Sequence, residues 1–181
     1  MKNVNINSIG LVIALLLLGF QAQIMAQTFT GGGNPQSIPV TGTGGFPCLG
    51  GPTESVATVS GLPGVIGTDH FIENVEINLT HTWASDIEAD LISPDGTVWD
   101  LTSDNGGAGD NFTNTVFEER NPSITTGAPP FTGTFQAEQG PFATGFDGDL
   151  VYGNWTLRIC DDAGGDVGTL LDFAITFGQP C

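Results

Sequence analysis

The sequence predicts an antiparallel β-sandwich, and three observations carry that prediction. Apolar and polar residues alternate with a period of two in several stretches, while no segment holds a period of 3.6 for three turns. Twenty-seven Gly and 11 Pro mark a turn-rich chain. Short strand-like runs are separated by loops of Gly and Asp. At 181 residues the chain has room for one domain, or one domain plus an appendage.

In chain order, residues 1–26 read as a signal peptide. Lys2 supplies the basic start, Leu11 to Phe20 the apolar core, and Ala26 the small residue before a cut at Gln27. That apolar run is shorter than the roughly 20 residues of a spanning helix. No second apolar span follows, so the mature chain is expected to be soluble and secreted or periplasmic, with no stable membrane insertion. Residues 27–53, rich in Gly, Pro and Thr, read as a lead-in running into a first strand near Ser55 to Ser60. Residues 54–181 then form the sandwich.

Within it, Val75, Ile77, Leu79, His81 and Trp83 alternate with Glu76, Asn78, Thr80 and Thr82. Ile87, Ala89 and Leu91 alternate with Glu88 and Asp90. After the turn Ser93-Pro94-Asp95-Gly96, a short strand runs from Val98 to Leu101. Residues 103–149 read mostly as loop, anchored by Phe112, Phe117, Phe131, Phe135, Phe142 and Phe146 as apolar plugs; a sugar-stacking platform is the alternative. Near the end Trp155, Leu157 and Ile159 alternate with Thr156 and Arg158, and Leu171, Phe173, Ile175 and Phe177 with Asp172, Ala174 and Thr176.

Charge excludes some functions. Twenty Asp and Glu face three Lys and Arg, a net charge of -17. Removal of Lys2 leaves two basic against twenty acidic side chains, or -18. Nucleic acid and anionic membrane surfaces need a basic footprint, which this chain lacks. The 12 Phe and 39% hydrophobic content argue against disorder. Three cysteines cannot all pair within one chain. Cys48 and Cys181 lie near the two mature ends and are the expected disulfide, with Cys160 a buried thiol.

The acids gather around glycines. Asp104 and Asp110 bracket Gly106-Gly107-Ala108-Gly109, Asp161, Asp162 and Asp166 bracket Ala163-Gly164-Gly165, and Asp86 opens a strand. Such loops let carboxylates and carbonyls converge on calcium, which takes 6 to 8 oxygen ligands. Asp and Gly are also ordinary turn residues, and an acidic surface favours solubility. The loop at Asp161 departs from the EF-hand pattern, and Gly106 to Asp110 is one residue short of a calcium β-roll repeat. No Gly-x-Ser-x-Gly elbow occurs, and His81 falls in register with apolar residues, which marks it as structural. No catalytic set is expected.

The run His81-Thr-Trp-Ala-Ser-Asp-Ile-Glu-Ala-Asp-Leu-Ile-Ser-Pro-Asp-Gly-Thr97 resembles the P domain of subtilisin-like proprotein convertases such as kexin and furin. Gly153-Asn154-Trp155-Thr156-Leu157 is similar to that family's Gly-x-Trp-x-Leu strand, and Gly165 to Leu170 to its closing turn. Gly109-Asp110-Asn111-Phe112 and Pro130 to Phe135 resemble the bacterial branch. Together these cover roughly residues 54–178, in family order. The resemblance implies a jelly-roll sandwich, galactose-binding-like, that normally follows a subtilisin-type catalytic domain and supports its folding, calcium dependence and pH behaviour. It also implies calcium, with Asp86, Asp110 and Asp166 the best-matched acids and Asp104, Asp161 and Asp162 their neighbours. Only about 27 residues of lead-in stand where the family carries a catalytic domain, so the chain is expected to be either a stand-alone P domain or a fragment of a larger open reading frame. The expected function is therefore a secreted, non-catalytic accessory module acting on a protease or an extracellular polymer; a carbohydrate-binding or adhesive module is the alternative.

Overall fold

The computed structural model describes residues 26–39 and 51–180. The expected signal peptide before Ala26, and Cys48 and Cys181, lie outside those residues. The rest is almost entirely β, with one four-residue helix, α1 (Phe142–Gly145). Among the described residues no helix is long and apolar enough to cross a membrane.

Ten strands form two sheets. They are β1 (Gln27–Thr30), β2 (Gln36–Ile38), β3 (Thr53–Val59), β4 (Phe71–His81), β5 (Ile87–Ile92), β6 (Val98–Ser103), β7 (Phe112–Phe117), β8 (Phe131–Phe135), β9 (Gly153–Asp161) and β10 (Gly168–Gly178). One sheet runs β1-β10-β4-β7-β8, with β2 also on β10; the other runs β3-β9-β5-β6. The pairs are antiparallel except β7 with β8, which is parallel.

The inward residues follow from the alternation. Val75, Ile77, Leu79 and His81 of β4, Ile87, Ala89 and Leu91 of β5, and Trp155, Leu157 and Ile159 of β9 are all buried. Trp155 sits between the rings of Phe146 and Phe177, at 5.1 and 5.4 Å, and donates its indole N–H to the Val151 carbonyl at 2.9 Å. An aromatic of this size contributes area burial and ring contacts while its polar edge stays satisfied. Phe112 stacks on Phe131 at 4.8 Å, and both are fully buried. The middle Phe are thus plugs in the core, Phe135 being partly buried. They form no exposed stacking platform.

Four expectations need correction. The segment read as lead-in contributes β1 and β2, which pair with opposite ends of β10 along one edge. Between them the chain crosses at Gly31, where a Cβ would collide with Ser55 and Phe173. The stretch read as mostly loop contains β7 and β8. Trp83, expected inward, is 42% exposed, because β4 ends at His81 and a 3-10 turn at Ala84–Asp86 breaks the alternation. In β10 a bulge between Leu170 and Asp172 shifts the register, so Leu170 rather than Leu171 is fully buried.

Cys160 corrects the disulfide assignment: it is disulfide-bonded, not a free thiol. Pairing of β3 with β9 sets Thr53 opposite Ile159, the residue before Cys160. An expectation based on the two chain ends overlooked that neighbourhood.

Candidate functional site: an acidic end and outer face

Three loops meet where β4 ends. The Gly-rich loop after β6 folds over the 3-10 turn, with Ala84 N–H donating to the Gly109 carbonyl at 2.7 Å and Ser85 N–H to that of Gly107 at 3.2 Å. Asn111 clamps the end of β4: its side-chain oxygen accepts from His81 N–H at 3.0 Å, and its own N–H donates to the His81 carbonyl. The β9–β10 loop closes the third side, as Thr82 donates to Asp166 at 2.8 Å and Asp162 N–H to the Asp86 carbonyl at 3.0 Å. Glycine at 106, with positive φ, allows this approach, since a Cβ there would meet Pro129 and Phe131.

His81 lies buried at the centre. Its Nδ1 meets the Trp83 carbonyl at 2.7 Å and its Nε2 meets Asp161 Oδ2 at 3.1 Å, with both side chains fully buried. Asp161 Oδ1 also accepts from Ala163 N–H. Both ring nitrogens are therefore engaged, Nδ1 by the backbone carbonyl and N–H of Trp83 and Nε2 by Asp161. A His–Asp pair occurs in nucleophilic triads, but there the second nitrogen faces a hydroxyl or thiol. Here it faces a backbone carbonyl. The other histidine, His70, meets the Pro63 carbonyl at 3.3 Å. Among the described residues no catalytic triad forms around either histidine.

The six acids expected as ligands fall into different roles. Asp161 is engaged by His81, and Asp166 by Thr82. Asp86 is buried beside them, and burial together with the charges of Asp161 and Asp166 pushes its carboxyl above the ordinary range. Asp104, exposed and at positive φ, is raised by desolvation and by Asp162. Asp110 is exposed in the same loop as Asp104. Among the described residues no three Asp, Glu, His or Cys side chains converge as a metal-ligand group.

A second acidic region went unnamed as a site. On the outer face of the four-stranded sheet, Asp90 of β5 lies opposite Asp100 of β6 and opposite Arg158 of β9. Arg158 Nη2 bonds Asp90 at 2.9 Å. Asp100 is pushed up to about 6, by burial first and then by Glu138. Glu88, one pleat along, is only 7% exposed and is raised by burial, then by Asp162, Asp104, Asp90 and Asp100. Glu88 Oε2 and Asp100 Oδ1 are buried with no hydrogen-bond partner among the described residues. The signal was present: a hairpin pairing Ile92 with Val98 must set Asp90 against Asp100, a like-charge cross-strand pair.

Residues 72–177, from β4 to β10, match the family model of the proprotein convertase P-domain. The chain is 28% identical over 126 residues to leupeptin-inactivating enzyme 1 of Streptomyces exfoliatus, covering 70% of this chain and 23% of that protein. Among solved structures, the serine protease of Aeromonas sobria superposes with a TM-score of 0.50 at 18% identity, covering 86% of this chain and 26% of the other, which shows a shared fold. The complex of that protease with its chaperone gives a TM-score of 0.46 at 19% identity, over 87% and 27% of the two chains. The chain thus spans about a quarter of the length of the proteins it matches.

Proposed function

This chain belongs to the proprotein convertase P-domain family, and we propose that it is an extracytoplasmic accessory domain that stabilises a subtilisin-like serine protease without taking part in peptide hydrolysis. The observation that carries the reading is the family match from β4 to β10, joined to a histidine whose two ring nitrogens are both engaged. Such a domain contributes by binding the folded protease better than the unfolded one, which raises the protease's stability by mass action. The test adds purified domain to a subtilisin-like protease of its source organism and follows thermal inactivation. A longer half-life, with no peptide hydrolysis by the domain alone, is the expected result. An unchanged half-life at saturating domain would contradict it.

Calcium belongs to the same proposal. The acids that would hold it are those that the three loops gather at the end of β4, namely Asp86, Asp104, Asp110, Asp161, Asp162 and Asp166. What supports the fit is that Asp86 and Asp104 are raised first by burial and then by neighbouring carboxylates, Asp162 among them, and a cation there would offset that repulsion. Thermal unfolding in calcium and then in excess EDTA tests it, with magnesium as the control. A midpoint several degrees higher in calcium is expected; equal midpoints would remove the ion from the account.

A further inference from the structure

We propose that the outer face of β5 and β6 holds a docking pocket for a basic side chain, an arginine or lysine presented by a partner protein. The pocket has a volume of about 290 Å³ and is lined by Asp90, Val98, Asp100, Ser103 and Gln139. Two carboxylates on opposite strands form its polar wall, and Val98, 40% exposed, offers an apolar wall for a methylene stem.

Three observations select this occupant. First, polar capacity is left over. Asp100 Oδ2 accepts from the Ser103 hydroxyl at 3.1 Å, but its Oδ1 is buried without a partner among the described residues; so is Oε2 of Glu88, which stands outside the lining on the same face, opposite Ser103. A buried unmet carboxylate oxygen is costly, and a charged donor is what satisfies it. Second, the chain has little to offer. Its Lys and Arg number three, and Arg158 is already bonded to Asp90. The missing cation must come from outside, and a second copy of so acidic a chain is a poor source. Third, the space is larger than a bare ion needs, and no three acidic, His or Cys side chains among the described residues converge as metal ligands. A guanidinium fits two separated carboxylates through its fork of donors. The raised carboxyl of Asp100, at about 6, agrees with a site that lacks its counter-charge.

This inference supplies the chemistry of the partner in the accessory role, but its test reads the pocket directly and needs no protease. Acetylated, amidated tetra-arginine peptide is titrated into the protein by calorimetry at low ionic strength, with tetra-citrulline as the neutral isostere. Saturable binding of the arginine peptide alone is expected. Asp100→Asn and Glu88→Gln should each weaken it about tenfold, while Asp172→Asn, which removes the same charge from the other sheet, should leave it within about twofold. Equal losses in all three variants would show diffuse attraction and overturn the proposal. So would equal citrulline binding, or no saturable binding. Calcium titrated alone supplies a further arm. A calcium isotherm abolished by Asp100→Asn, with the peptide affinity unchanged by it, would make the pocket a metal site and also overturn the inference. Both test variants remove repulsion, and circular dichroism of each confirms that folding is kept.

Discussion

Two sets of buried acids lie within one sheet and its end, and they are treated differently. Asp161 is met by His81 at 3.1 Å and Asp90 by Arg158 at 2.9 Å. Glu88 and Asp100, on the same outer face as Asp90, retain oxygens with no partner among the described residues. The fold gives partners to the acids that join strands: His81 ties β4 to β9, and Arg158 ties β9 to β5. The remaining acids are held close together without a counter-charge. The first arrangement serves the fold, and the second is poised for something outside it.

The comparison breaks most readily at His81. His81→Ala would leave Asp161 buried beside Asp86 without its partner, and loss of one member of a buried pair costs about 3–5 kcal/mol. Urea unfolding should register that loss; a cost under about 1 kcal/mol would mean the pair does not anchor the strands. Arg158→Gln is expected to cost less, about 1.5–3 kcal/mol, because its side chain is partly exposed and Asp90 can regain water. The same assay checks it, and a stabilised variant would contradict the pairing.

The unpaired set should respond with the opposite sign. Asp100 titrates at about 6 in the folded protein against an ordinary 3.8, so between those values the folded state holds a proton that the unfolded chain has released. Stability therefore rises as pH falls through 6, and Asp86, Glu88, Asp90 and Asp104 are raised in the same direction. The melting midpoint should be higher at pH 5 than at pH 7.5 in low salt. Asp100→Asn should raise the midpoint at pH 7.5 by about 2–4 °C and shrink the difference between the two pH values. A midpoint that falls on acidification would break the comparison. The smallest effect is expected at Asp110, exposed in its loop, where Asp→Asn should change stability by less than about 0.5 kcal/mol in the same melts.

Much of this molecule was legible in its sequence. The alternation in β4, β5, β9 and β10 named most of the core, and the register of His81 marked it as structural. What escaped was decided by distant partners. β1 and β2 are four and three residues long and largely polar, and they are strands because the edge of β10 supplies hydrogen bonds. The Leu170 bulge reversed one residue's facing without leaving a mark in the pattern. The acid loops could be read from Gly and Asp spacing, but the union of Asp161 with His81, 80 positions away, could not. Asp100 was within reach through the hairpin register, since Ile92 opposite Val98 sets it against Asp90.

The most direct measurement is the titration of the Asp100 side-chain carboxyl carbon by NMR in the protein free of added cations. A desolvated carboxylate facing Glu138, hydrogen-bonded by Ser103 but with no counter-charge, predicts a midpoint near 6. A midpoint near the ordinary 3.8 would show a solvated or neutralised group, and the acidic face would then be a surface that needs no partner.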